Sequence, residues 1–136
     1  MPCIEIYTNI PEEKIPETFH LNVTNFFCAL LEKEPRGVVL SLYPNQKISL
    51  GKNLKEECVI VLAHNAEAFL DAKDNKEFIR KVTDELAGRL RIKKERISVM
   101  LLSLTSHTVC TPIGLLAERG PFKWRFKYLE DLQLQN

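Results

Sequence analysis

Met1-Pro2-Cys3-Ile4-Glu5-Ile6-Tyr7 opens the chain, and the reading of this stretch decides the fold. Apolar and polar residues alternate from Cys3 to Tyr7, the period of a strand with one face buried. Pro2 stands at the mouth of that strand. If Met1 is removed, Pro2 carries a free secondary amine. An α-amino group titrates near ~8, and apolar surroundings lower that value by disfavouring the cation. Such a nitrogen suits a general base near neutral pH. With Met1 attached the same atom is an amide nitrogen and has no basicity. The alternative is that Pro2 merely begins an edge strand, where a missing N–H costs nothing. Taken by itself, Pro2 is read as the latter.

Outward from this strand, Thr8-Asn9-Ile10-Pro11 is turn chemistry. Pro16 is placed to begin a helix, because its missing N–H is harmless in a first turn. Ile15, Phe19, Val23, Phe26, Phe27, Leu30 and Leu31 follow at helical spacing and form one apolar stripe. Pro35 ends that helix near Lys33-Glu34 by biasing Glu34 away from helical dihedrals. Asn22-Val23-Thr24 matches a glycosylation sequon, but inside a helix and without a signal peptide it is read as chance. Val38 to Tyr43 is a second strand, and residues 45–57 read as a polar connecting loop.

The second half repeats the plan. Cys58 to Ala63 is a continuous apolar run, the pattern of a strand covered on both faces. Asp74 with Glu77 predicts a capping box. Phe78, Val82, Leu86 and Leu90 then share one face of a helix, and Ile97 to Leu104 is another nearly unbroken apolar strand. Lys33-Glu34-Pro35-Arg36 recurs in kind as Lys93-Lys94-Glu95-Arg96. Each half is thus a strand–helix–strand unit whose crossover is expected to be right-handed. Two such units predict an α/β (α+β) fold with a four-stranded sheet and two helices.

Two helices cover only one face of that sheet. The strands at 58–63 and 97–104 are apolar at odd and even positions alike, so the other face would be a large exposed apolar patch in a monomer. A closed oligomer that buries these faces together is the simplest remedy.

At 136 residues the chain is one domain with room for a real core. Apolar residues make up 45% and charged residues 27%, an ordinary globular profile. A net charge of +1 points to neither nucleic acid nor an anionic membrane. No apolar run approaches the ~20 residues of a membrane span, and the N-terminus lacks the pattern of a signal peptide. Cys3, Cys28, Cys58 and Cys110 include no CxxC pair and are expected to be reduced, mostly buried thiols. His20, His64 and His107 are read as a helix-face, strand-end and turn residue without partners at metal-ligand spacing. With no phosphate-cradling glycine loop, the chain is expected to use neither metal nor cofactor.

Pro2-Cys3-Ile4-Glu5-Ile6-Tyr7-Thr8-Asn9-Ile10-Pro11 resembles the start of the macrophage migration inhibitory factor and D-dopachrome tautomerase family, within the tautomerase superfamily. Glu85-Leu86-Ala87-Gly88-Arg89-Leu90-Arg91-Ile92, followed by Glu95-Arg96-Ile97, is similar to that family's second helix and next strand. The likeness spans roughly residues 2–114, with a small insertion near 52–57. It implies two βαβ repeats in a four-stranded mixed sheet with two helices on one face, and a homotrimer whose sheets form an inner barrel. It also implies keto–enol tautomerisation of phenylpyruvate-like or dopachrome-like acids. Pro2 matches the catalytic proline and Lys33 the lysine that pairs with the substrate carboxylate. Asn65-Ala66 falls where a backbone amide holds substrate. Ser98 and Met100 stand where a neighbouring subunit brings a tyrosine and an asparagine in the factor. The dopachrome branch lacks that tyrosine as well. The family further implies a cytoplasmic protein exported without a leader, with a cell-surface receptor as partner. A non-enzymatic, cytokine-like binding protein on the same scaffold is the alternative.

The resemblance divides the chain into a domain of residues 1–116 and a C-terminal extension of 117–136. Lys123-Trp124-Arg125-Phe126-Lys127-Tyr128 alternates cations with aromatic rings. It reads as a segment docking its rings on protein, against the alternative of an arm for an anionic partner.

Overall fold

A computed structural model describes residues 1–111, 114 and 115 of the chain. The extension of 117–136, the end of the 1–116 domain and the side chains of His107 and Cys110 lie outside the described residues.

The opening stretch is strand β1, Cys3–Thr8, with Ile4, Ile6 and Thr8 fully buried and the residues between them half-buried. Helix α1, Phe19–Leu31, returns to β2, Val39–Tyr43. After the long loop come β3, Val59–Ala66, helix α2, Ala72–Leu90, and β4, Ile97–Leu104. Two short strands, β5 at Cys110–Thr111 and β6 at Gly114–Leu115, pair antiparallel beyond them. The main sheet has the order β2-β1-β3-β4. β1 runs parallel to β2 and antiparallel to β3, and β3 runs parallel to β4. This is the mixed four-stranded sheet expected from two βαβ units.

Both helices pack on one face. Phe19, Val23 and Phe27 of α1 and Val82 and Leu86 of α2 close over Ile4, Ile6, Val59, Val61 and Ala63. Phe27 meets Phe26 edge-on, and Phe78 lies edge-on to Phe69. The opposite face stays open in a single chain. The ladder aligns Glu5 with Ser41 and Leu62, and Leu62 with Met100. On that face Met100 is 49% exposed, Val39 43%, Tyr43 39% and Leu102 38%. The apolar run of β3 is therefore covered on one side only, alternating buried and half-buried along its length.

Three boundaries differ from the sequence reading. α1 begins at Phe19, because Pro16 to Phe19 form a separate turn with Phe19 N–H donating to the Pro16 carbonyl. α2 is capped by Asp71, whose carboxylate accepts from the Asp74 amide at 2.9 Å, so Asp74 lies inside the helix and Glu77 pairs with Arg80 instead. β3 continues past Ala63 to Ala66 and takes in His64 and Asn65, because pairing with β1 and β4 holds residues whose own polarity ends the apolar run.

Internal duplication extends to the helix ends. Glu32 and Arg91 both adopt left-handed backbone, and the next residues, Lys33 and Ile92, donate back to Cys28 and Ala87. Each end satisfies orphan carbonyls of the last turn in the same way. Each then passes through a short 3-10 turn, Pro35–Gly37 or Lys94–Arg96, into a strand parallel to the one that began the unit.

Candidate active site

One end of the sheet gathers the start of β1, the start of β2 and the end of β3. Pro2 heads β1 and is fully buried, while Met1 before it is 45% exposed. The Pro2 carbonyl accepts from Val39 N–H at 2.9 Å, which locks its peptide to the start of β2. Cys3 stands opposite His64, so continuing the antiparallel register by one residue sets Pro2 opposite Asn65. Asn65 is 6% exposed, and Ala66 is half-buried. Beyond them Glu67 turns through a left-handed backbone, donates to the Leu104 carbonyl at 2.7 Å and accepts from Ser106 N–H at 2.9 Å. The β3 end is thereby tied to the end of β4. Lys33 reaches the same end of the sheet, because it leads from the α1 terminus into the turn that delivers Val39 to Pro2.

Pro2, Lys33, Asn65 and Ala66 are thus assembled at one end within one chain. Ser98 and Met100 are not. They lie on the open face, aligned with Ile60 and Leu62, and through them with Tyr7 and Glu5. At roughly 3.3 Å per residue, Ser98 sits about 17 Å along the strands from Pro2.

A second set of polar groups on the open face escaped the sequence reading. Glu5 receives the Tyr7 hydroxyl at 3.2 Å on one carboxylate oxygen and meets His64 Nε2 at 3.2 Å on the other. Tyr7 stacks on Tyr43 with ring centroids 4.6 Å apart. His64 therefore has a carboxylate partner that its sequence neighbourhood does not show. Burial, and then the Glu5 charge, push the Cys3 thiol above its ordinary value; the same two causes raise the Tyr7 hydroxyl. A thiolate is thus disfavoured at Cys3, and Cys28 and Cys58 are buried free thiols. Among the described residues no three His, Cys, Asp or Glu side chains converge as metal ligands. No described helix is long and apolar enough to cross a membrane.

Residues 1–115 match the family description of macrophage migration inhibitory factor (MIF). The chain belongs to the MIF family. Its similarity to the MIF-like protein mif-2 of Caenorhabditis elegans is 21% identity over 109 residues, covering 80% of this chain and 89% of that one. Among solved structures, the migration inhibitory factor of Oncomelania hupensis superposes with a TM-score of 0.77 at 22% identity, over 83% of this chain and 95% of the other. That of Trichinella spiralis gives 0.74 at 19% identity, over 81% and 96% of the two chains. A homologue from Prochlorococcus marinus gives 0.71 at 16%, over 84% and 98%. At these identities the structures speak for the fold, and the fold agrees: the MIF family match ends where the two βαβ units and the short β5–β6 pair end.

Proposed function

We propose that the Met1-free chain is a keto–enol tautomerase of phenylpyruvate-like or dopachrome-like acids, working as a homotrimer. The observation that carries this reading is the complete burial of Pro2 beside the Asn65–Ala66 end of β3, under an exposed Met1. Released from Met1, the Pro2 nitrogen becomes an amine in surroundings that disfavour its cation. It takes the proton from the carbon next to the substrate keto group, and the prolinium so formed delivers a proton to the enolate oxygen, which gives the enol and restores the amine. Lys33 pairs with the substrate carboxylate, and the Asn65–Ala66 backbone holds its edge. The open apolar face supports the trimer, because three such faces buried together remove Met100, Leu102 and Val39 from water. A neighbouring subunit then brings Ser98 and Met100 toward the substrate. No cofactor enters this chemistry. On this reading the chain works in the cytoplasm and, once exported, meets a cell-surface receptor.

Retention of Met1 would carry a second reading, a cytokine-like binding protein without the enzyme, because its peptide bond makes the Pro2 nitrogen an amide. Phenylpyruvate enolisation by Met1-free and Met1-retaining protein, followed by enol absorbance, separates the two. Activity confined to the Met1-free form is expected. An inert Met1-free protein of the correct mass would move the binding reading ahead.

A further inference from the structure

At the opposite end of β1 from Pro2, a cleft of about 520 Å³ opens between the turn after β1 and the loop joining β2 to β3. Lys14, Lys47 and Lys55 line it against a single carboxylate, Glu57. Among the described residues none of the three ammonium groups has a carboxylate within ion-pair distance, whereas Lys93 and Lys94 pair with Glu56 and Asp84. The lining is not polar throughout. Ile48 and Leu54 contribute apolar wall, and Leu54 is 53% exposed.

The walls are held before any ligand arrives. Asn9 accepts from Cys58 N–H at 2.8 Å and donates to the Glu56 carbonyl at 3.0 Å. Gln46 N–H donates to the Thr8 carbonyl at 2.9 Å, and Asn45 N–H to the Ile10 carbonyl at 3.0 Å. Arg96 fastens the far side through the carbonyls of Leu50, Glu56 and Glu57. Three segments distant in sequence are therefore stitched into one preformed concavity, of the size small ligands occupy. Part of its wall is the 52–57 stretch that reads as an insertion, set against Asn9 and Pro11 from the end of the first quoted motif.

We infer that this cleft binds a small organic dianion with an apolar body, such as an aromatic phosphomonoester. Three cations against one carboxylate leave a net charge of about two to be matched, and ammonium groups bind phosphate as point charges without a fixed fork. The apolar body lies on Leu54 and Ile48. The six residues of β1 separate this site from Pro2 by about 20 Å, so it does not depend on the tautomerase reading.

Calorimetric titration of the full chain with phenyl phosphate at low salt tests the assignment, with inorganic phosphate as the companion probe. Saturable binding is expected, unchanged in Pro2→Gly and weakened about ten-fold or more in K47Q/K55Q. Leu54→Ser is expected to weaken phenyl phosphate and leave inorganic phosphate alone. Lys47, Leu54 and Lys55 are at the surface whereas Pro2 is buried, and circular dichroism checks that each variant folds. Absence of saturable binding, indifference to K47Q/K55Q, or loss in Pro2→Gly would overturn the inference.

Discussion

Glu5 Oε2 lies 3.2 Å from His64 Nε2, bridging strands whose residues stand 59 positions apart. Cys3 faces His64 directly across the ladder, so a thiol, a carboxylate and an imidazole share one patch of the open face. The carboxylate acts against the thiol, because a nearby negative charge disfavours the thiolate.

Cys3 should accordingly alkylate slowly at neutral pH. Burial is the larger cause and Glu5 the second. Glu5→Gln removes only the second, so the iodoacetamide rate should rise roughly two- to five-fold, as the thiolate fraction grows. The rate–pH midpoint should move down with it. An unchanged midpoint would show that Glu5 does not act on the thiol.

Pro2 and Lys33 are expected to fail differently. Pro2→Gly keeps an amine but alters its basicity and rigidity, so kcat for phenylpyruvate enolisation should fall. If the proposed Lys33–carboxylate contact is made equally to ground and transition states, Lys33→Ala should raise KM with kcat nearly kept. Steady-state kinetics on Met1-free variants reads both. Wild-type values in both variants would remove these roles.

Met100→Glu places a charge on the exposed sheet face without touching the core beneath the helices. The proposed trimer should dissociate, because three carboxylates cannot share a buried apolar surface. Sedimentation equilibrium is expected to give a trimer mass for the wild type and a monomer mass for the variant, with unchanged far-ultraviolet dichroism. A wild-type monomer at micromolar concentration would end the trimer reading.

Arg96 is 8% exposed, and its guanidinium bonds the carbonyls of Leu50, Asn53, Glu56 and Glu57. Arg96→Ala should cost about 3 kcal/mol, the range for charged hydrogen bonds lost with acceptors left behind. Arg96→Lys should recover little, since one ammonium cannot reproduce the fork. Denaturant unfolding measures the loss, and cleavage within residues 50–57 by a protease should accelerate. Wild-type stability in Arg96→Ala would show that the loop holds itself.

Hydrogen bonding to Lys94 is the main cause holding the Asp84 carboxyl below its ordinary range, with Arg80 also lowering it; Glu77 is held down chiefly by Arg80. A folded-state value below the unfolded one stabilises at neutral pH, and that stabilisation is lost as pH falls through the folded value. Asp84→Asn should therefore flatten the acid limb of the stability curve below the ordinary carboxylate range near ~4. The groups are exposed, so added salt should shrink the difference. Parallel acid limbs for the two proteins at low salt would discard the effect.

Much of the framework was legible from residue order. Alternation in Cys3–Tyr7, the stripe from Phe19 to Leu31 and the spacing of Phe78, Val82, Leu86 and Leu90 each carry the period of their element. Caps were less legible. Asp71 and Asp74 are both competent by type, and only the helix start chooses between them.

Local pattern by itself determined that two βαβ units exist, that Pro2 heads the first strand, and that the sheet has more apolar surface than two helices can cover. Strand partnership belongs to the tertiary structure alone, because period carries no record of which strand lies beside which. The antiparallel pairing of β1 with β3 sets Pro2 beside Asn65 and gives His64 the Glu5 carboxylate. The same register removes Ser98 from Pro2 within one chain. Long-range hydrogen bonds donated by Asn9, Asn45 and Arg96 likewise turn a polar loop into the wall of a cleft, through contacts that no local window contains.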